Sequence, residues 1–268
     1  MHNSKYNAPF IPALNILYDL QNYKLRLSYA KGFRAPNFKE LFLDFVDVNH
    51  NIVGNNLLLA EESNNYHLST STKHQLLQTK INTDISLFYN TISNKIDLVN
   101  SAVNTEEYSY FNIDKFITKG ISASSRFTIR NTEINFGTSY IGRYNDLYNL
   151  SDASEFNFSM DYNINAIVLL GNKNKLNIFY KNNGKVPNFI IENNTTIKSY
   201  SESYDLLDIS LNRRMYEDLL IITLGAKNLF DVKNIKLSGS GNNIHSSDSK
   251  KMSVGYGRTI FARINFRL

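Results

Sequence analysis

The 268-residue chain has no cysteine, no tryptophan, four prolines and twelve glycines. It also lacks any run of about 18 apolar residues, which excludes a membrane-spanning helix. Without cysteine there is no disulfide framework, no Cys-ligated zinc site and no thiol nucleophile. The opening Met1-His2-Asn3-Ser4-Lys5 leads to Pro9, Pro12 and Asn15, with no apolar core of the signal-peptide kind. Charge of one sign is scarce as well. The net +5 is spread along the chain and gives no reason to expect a nucleic-acid partner. What is abundant is aromatic: 17 Tyr and 17 Phe in a chain that is 42% apolar. That composition excludes disorder and favours strands.

Alternation with period two dominates, which places successive side chains on opposite faces of a strand. Tyr23, Leu25, Leu27 and Tyr29 share one face; Lys24, Arg26 and Ser28 share the other. Ile81, Thr83, Ile85, Leu87 and Tyr89 alternate with Asn82, Asp84 and Ser86. Phe156, Phe158, Met160, Tyr162 and Ile164 do so with Asn157, Ser159, Asp161 and Asn163, and Ile260, Ala262, Ile264, Phe266 and Leu268 with Arg263, Asn265 and Arg267. No comparable helical stripe exists. The fold class is all-β.

About eleven such segments are expected, over 13–20, 23–31, 63–72, 81–92, 110–129, 134–143, 155–164, 175–182, 204–213, 219–230 and 256–268. Many have the length of about 9–11 residues that a tilted transmembrane strand needs. The connections alternate between shorter (Gln21-Asn22, 73–80, 130–133, 165–174, 214–218) and longer polar ones (32–62, 93–109, 144–154, 183–203, 231–255). A soluble sandwich has no reason to sort its loops by length onto two ends, whereas an outer-membrane barrel does. The expectation is an antiparallel transmembrane barrel, with a soluble sandwich as the competing architecture.

Two stretches go beyond pattern. The first is Tyr29-Ala30-Lys31-Gly32-Phe33-Arg34-Ala35-Pro36, continuing through Asn37-Phe38-Lys39-Glu40-Leu41-Phe42 and then, after a gap, Gly54-Asn55-Asn56-Leu57-Leu58-Leu59-Ala60-Glu61-Glu62-Ser63. The second is Ala226-Lys227-Asn228-Leu229-Phe230-Asp231, followed by the closing strand to Leu268. Pro36 pushes Ala35 toward extended backbone and is suited to ending a strand, and Gly32 permits a kink beside it. Arg34 can pair with Glu40 or with a lumen carboxylate. All these residues can be explained as architecture at a loop base, with no contact to substrate.

From about residue 14 to its end the chain resembles the C-terminal half of the barrel of TonB-dependent outer-membrane receptors. That family carries a "GFRAP…KEL" segment entering an extracellular loop, a "GNPxLxxE" segment where the next strand begins, and an "NLFD" segment before the last strand. Asn56 stands where the family has Pro, and Leu268 where outer-membrane proteins commonly end in Phe; Phe266 keeps the aromatic alternation. The resemblance implies a 22-stranded barrel, plugged by a separate N-terminal domain, of which this chain supplies strands 12 to 22. Partners implied are outer-membrane lipid, the N-terminal barrel half and plug, the TonB complex acting through the plug, and a small-molecule substrate. The function implied is uptake of an iron–siderophore, haem or cobalamin, with no cofactor and no catalysis. Residues 1–268 then form one barrel portion without a plug, and an open sheet in lipid is not expected to insert alone.

His50, in the middle of the long loop at Val48-Asn49-His50-Asn51, is the one candidate for ligand contact. Some haem-uptake relatives resemble this placement, and imidazole ligates haem iron. The other reading is a solvated loop histidine. His67 and His74 are seven apart and fall on opposite faces, which is poor geometry for a shared metal. No G-x-S-x-G elbow or P-loop is present. Glu61-Glu62 and Glu106-Glu107 diverge on a strand and do not make an acid/base pair. Two alternatives remain: a self-standing barrel of about 10 or 12 strands acting as a diffusion pore or hydrolase, and a soluble β-rich adhesion module.

Overall fold

The computed structural model of the chain describes residues 5–46, 51–100, 107–145, 156–192, 195–217, 219–239 and 251–266. Eleven strands lie side by side in one antiparallel path: β1 (Ala13–Leu20), β2 (Tyr23–Arg34), β5 (Glu61–Leu76), β6 (Thr79–Asn100), β7 (Glu107–Ile129), β8 (Thr132–Asn145), β9 (Asn157–Leu170), β10 (Asn174–Asn183), β13 (Tyr204–Met215), β14 (Leu220–Lys227) and β17 (Thr259–Phe266). The expected eleven segments are all present, each within the sheet. The remaining elements belong to the longer connections. They are β3 (Asp44–Val46), β4 (Asn51–Val53), β11 (Val186–Glu192), β12 (Thr195–Ser201), β15 (Asn234–Gly239), β16 (Lys251–Ser253) and one short helix, α1 (Phe38–Phe42).

Several boundaries differ from the sequence expectation. The connection read at 73–80 is a two-residue turn at Leu77-Gln78, with Leu77 in the left-handed region at φ 54°. The one read at 165–174 shrinks to 171–173, with Gly171 at φ 67°. The polar stretch 93–109 is mostly strand, because β6 and β7 continue pairing out to Asn100↔Tyr108. Above a membrane the outward face need not be apolar, so alternation fades while the hydrogen-bond ladder goes on. Strand β14 stops at Lys227 because Asn228 adopts φ 51°. Strand β17 starts only at Thr259, two residues after Gly257 at φ 86°.

The register joins the apolar residues into one continuous surface. Leu27 faces Leu68, Leu68 faces Leu87, Leu87 faces Ile121, Ile121 faces Tyr140 and Tyr140 faces Met160. Further on, Ile178 faces Ile209, Leu211 faces Leu224 and Ile222 faces Ile264. These side chains lie on the outside: Leu25 and Leu87 are each 47% exposed and Leu224 57%. The few buried apolar residues among those described (Leu41, Leu58, Ile96, Ile113, Ile117 and Ile235) do not form an interior for the sheet. A sandwich buries one face of every strand against a second sheet. Here that face is bare, so the sandwich and the soluble adhesion module fall away.

The opposite face is polar and small. Ser69, Ser71, Asp84, Ser86, Ser122 and Ser124 line a depression with Asp161 and Asn163. Ser71 Oγ donates to Asp84 Oδ1 at 2.5 Å, and the Ser86 and Ser122 hydroxyls are 2.7 Å apart.

The path does not close. Strands β1 and β17 each have one neighbour among the described residues. Ten antiparallel steps join the eleven strands, so both edges run the same way, from the long-loop end to the short-turn end.

Candidate functional site

The base of the first long loop is built around Arg34. This residue ends β2, two residues before Pro36, as expected of a strand stopped by proline. Its guanidinium makes a fork with Glu61, Nε to Oε2 at 2.8 Å and Nη2 to Oε1 at 2.7 Å. Its remaining nitrogen Nη1 donates to both Glu40 oxygens at 2.9 Å. Both of the pairings open to Arg34 from sequence are therefore made at once. Planar, bidentate geometry of this kind is the reason arginine is suited to the position.

Glu40 serves a second purpose. It accepts from the Asn37 backbone N–H at 2.8 Å while its own N–H donates to Asn37 Oδ1 at 3.0 Å, a capping box that starts α1. Its backbone carbonyl accepts from Asn55 N at 2.8 Å. Gly54 N donates to Leu43 O at 2.6 Å, and a Cβ on Gly54 would sit 2.6–2.7 Å from backbone atoms of Leu41, Phe42 and Leu43. Only glycine allows that approach. The side chain of Asn55 donates to Tyr110 O at 2.9 Å and accepts from Leu57 N at 2.9 Å. Gly32 and Phe33 lie within β2, opposite Ser63 and Glu62. No kink occurs at Gly32, contrary to expectation. A Cβ there would collide with the Ser63 hydroxyl, so its role is close strand contact. Gly32, Phe33, Arg34, Ala35, Pro36, Glu40, Gly54 and Asn55 thus converge on one loop base.

Beneath it Leu41, Leu58 and Ile96 form a small buried cluster flanked by Tyr6 and Tyr110. Tyr6 Oη donates to Leu58 O at 2.7 Å. Glu61 Oε1 also accepts from Ile96 N at 2.7 Å, and Asn112 Nδ2 donates to Leu59 O at 3.1 Å. Reading by motif missed Ile96, Tyr110 and Asn112, since strand residues in a polar loop carry no signal of which loop they will catch. The Glu61 pKa is lowered. Burial works to raise it, but the hydrogen bonds from Arg34 and Ile96 and the charge of Arg34 outweigh that effect. The Arg34 guanidinium is held more tightly protonated than usual, chiefly by its hydrogen bond to Glu61, against burial, with Glu40 adding to it.

The second motif makes a turn. Asn228 Nδ2 donates to Val232 O at 2.8 Å, Val232 N donates to Asn228 Oδ1 at 3.0 Å, and Asp231 N donates to Asn228 O at 2.8 Å. Asp208 Oδ1 on β13 accepts from Asn228 N at 2.8 Å, and Leu229 N donates to Leu207 O. Leu229 O in turn accepts from Arg258 Nη2 at 2.6 Å, which ties the start of the last strand to the turn. The Asp231 carboxyl is lowered, first by the Arg258 backbone N–H, against burial, with help from Lys233. Phe230 is exposed beside the turn, and Phe266 stands outward at the far end of β17, opposite Leu220.

His50 lies outside the described residues. His67 and His74 fall on opposite faces of β5, and His74 meets the Tyr23 ring edge-on at 5.4 Å.

A wide antiparallel sheet with an apolar outside, a polar inside and its loops sorted by length defines the strand-spanning half of a transmembrane β-barrel. The family model "TonB dependent receptor-like, beta-barrel" matches residues 2–229, and the chain belongs to that family. Among curated proteins it is 28% identical over 138 residues to a probable hemoglobin and hemoglobin-haptoglobin-binding protein of Haemophilus influenzae, covering 48% of this chain and 13% of that one. Among solved structures, the siderophore receptor PirA of Acinetobacter baumannii superposes with a TM-score of 0.69 at 17% identity, over 98% of this chain and 41% of that one. The FrpB iron transporter of Neisseria meningitidis gives 0.65 at 11%, over 96% and 39%. At such identities the structures show the fold. The chain spans well under half the length of each of these relatives. The family is one of receptors, and none of the comparisons supports the self-standing pore or hydrolase.

Proposed function

We propose that this chain is the C-terminal barrel half of an outer-membrane receptor for active uptake of a scarce nutrient. The supporting observation is the Arg34–Glu40–Glu61 knot, which pins a long extracellular loop at the mouth of a polar inner wall. Such a loop is where a substrate is first captured. The cargo class is an iron–siderophore, haem or a cobalamin-like compound; the relatives named above are a probable hemoglobin-binding protein, a siderophore receptor and an iron transporter. His50 is the proposed ligand contact should the cargo be haem.

The open path supports the partners in this reading. Both edge strands run toward the short-turn end, so a second copy inserted the same way would set parallel edges together. Antiparallel closure needs an odd number of further strands whose edges both run the other way. An N-terminal half of eleven strands satisfies this and gives the 22 of a plugged transporter. The plug fills the polar lumen and links it to TonB.

The test is to refold the chain with and without an N-terminal barrel half and run both samples unboiled and boiled on an SDS gel. A heat-sensitive band shift only in the joined sample supports the reading. A shift with the chain alone would overturn it in favour of an autonomous pore.

A further inference from the structure

One outward row crosses six strands at the upper edge of the apolar surface. Tyr29 faces Tyr66, which faces Tyr89; Tyr89 faces Lys119, which faces Gly142, and Gly142 faces Phe158. The rings meet along it, Tyr29 and Tyr66 at 5.1 Å and Tyr66 and Tyr89 at 6.4 Å, while Phe158 stacks on Tyr140 at 4.8 Å. Immediately below are Leu68, Leu87, Ile121 and Met160. Such a row is an interfacial aromatic belt, the level at which side chains leave hydrocarbon and meet headgroups. Lys119 is the cation set within it.

Its ammonium lies 3.7 Å from the Phe156 ring centre and 5.9 Å from that of Phe158. Gly142 makes this arrangement possible: a Cβ there would come within 2.5 Å of the Phe158 ring. The rings hold the charge in place without neutralising it. Elsewhere on this rim Lys31 is answered by a carboxylate, Glu62 at 2.8 Å. Lys119 has no carboxylate partner among the described residues. Lys115, exposed on the same face four positions nearer the loop, adds a second positive charge.

We infer that Lys119, clamped between the two phenylalanines, binds the phosphate of an anionic lipid in the outer leaflet. The inference rests on the membrane-facing assignment of this row. An immobilised ammonium at headgroup depth is matched by a lipid phosphate, whose acyl chains lie along Ile121, Tyr140 and Met160 below.

The experiment uses the complete receptor barrel containing these strands, reconstituted into phosphatidylcholine vesicles with or without phosphatidylglycerol. Native mass spectrometry then counts the lipids it retains. The expected result is that the wild type enriches phosphatidylglycerol about five-fold over Lys119→Met, with Lys119→Arg close to wild type. Lys175 lines the polar inner wall with Asn177, Ser210 and Thr223, so Lys175→Met should leave the enrichment unchanged. Equal enrichment in Lys119→Met would overturn the inference alone. Enrichment that persists when inorganic phosphate is added would support the lipid as the source of the phosphate. Failure of every variant to insert in either vesicle would overturn the barrel reading with it.

Discussion

Glu61 and Glu62, adjacent in the chain, leave β5 on opposite faces: Glu61 binds Arg34 at 2.7 Å inside, and Glu62 binds Lys31 at 2.8 Å outside. One peptide unit thus separates the loop anchor from the outer rim. Neither carboxylate is available to the other, so the pair cannot share a proton in acid/base chemistry.

Arg34→Ala removes four hydrogen bonds and leaves two partly buried carboxylates facing each other. Because Arg34 is itself 42% exposed, the expected cost is about 1–3 kcal/mol rather than the full penalty of a buried pair. Arg34→Lys should recover less than half, because an ammonium cannot bind both carboxylates bidentately. Urea unfolding of the complete receptor measures the cost, and faster protease cleavage within 35–60 locates it. Wild-type cleavage rates in Arg34→Ala would refute the anchoring role.

Acidification should loosen the same loop. A carboxyl whose pKa is lower folded than unfolded contributes its full stability above the unfolded value, and loses it as pH falls through the folded one. Glu61 is lowered from an ordinary 4.5, so protection of the 35–60 segment should hold at neutral pH and decline below about that value. Hydrogen exchange followed from pH 7 to pH 3 checks this. Glu61→Gln should flatten the profile.

Gly54→Ala places a methyl group against three backbone atoms that have no rotamer to yield. Overpacking of this kind costs about 1–3 kcal/mol. The loss should appear as a lower unfolding midpoint with the barrel's strand signal unchanged in circular dichroism.

Leu87 sits mid-strand on the lipid face and Ser86 beside it on the inner wall. Leu87→Arg should cost about 2–4 kcal/mol or block assembly. Ser86→Arg faces the polar lumen and should refold. Equal tolerance of both would contradict the facing described above.

For the His50 proposal, haem titration of the complete receptor followed by Soret absorbance is decisive. His50→Ala should abolish the axial-ligand spectrum if haem is the cargo, and unaltered haem binding would remove His50 from the site.

The eleven barrel strands were readable in the sequence because lipid on one side and a wet lumen on the other force strict alternation, as in Ile81 to Tyr89. Where that constraint ends, so did the reading. Asn94, Lys95, Asp97 and Asn100 are polar, yet β6 continues through them. The short loop strands β3, β4, β11, β12, β15 and β16 have too few residues to show a period. Helix α1 did leave a trace, the Asn37/Glu40 capping spacing, inside a segment read as loop. The partners of Arg34 were only half visible. Glu40 is near in sequence, but Glu61 is 27 residues away and comes opposite Arg34 through register alone.

Strands β11 and β12 come from the connection after β10, and β15 and β16 from the one after β14, yet all four form one small sheet. The joint is the pairing of Ser199–Ser201 with Leu237–Gly239. These two loops are therefore one mechanical piece. A ligand cannot push one aside without dragging the other, and grafting either loop alone onto a relative would carry over half a sheet with its pairing edge bare.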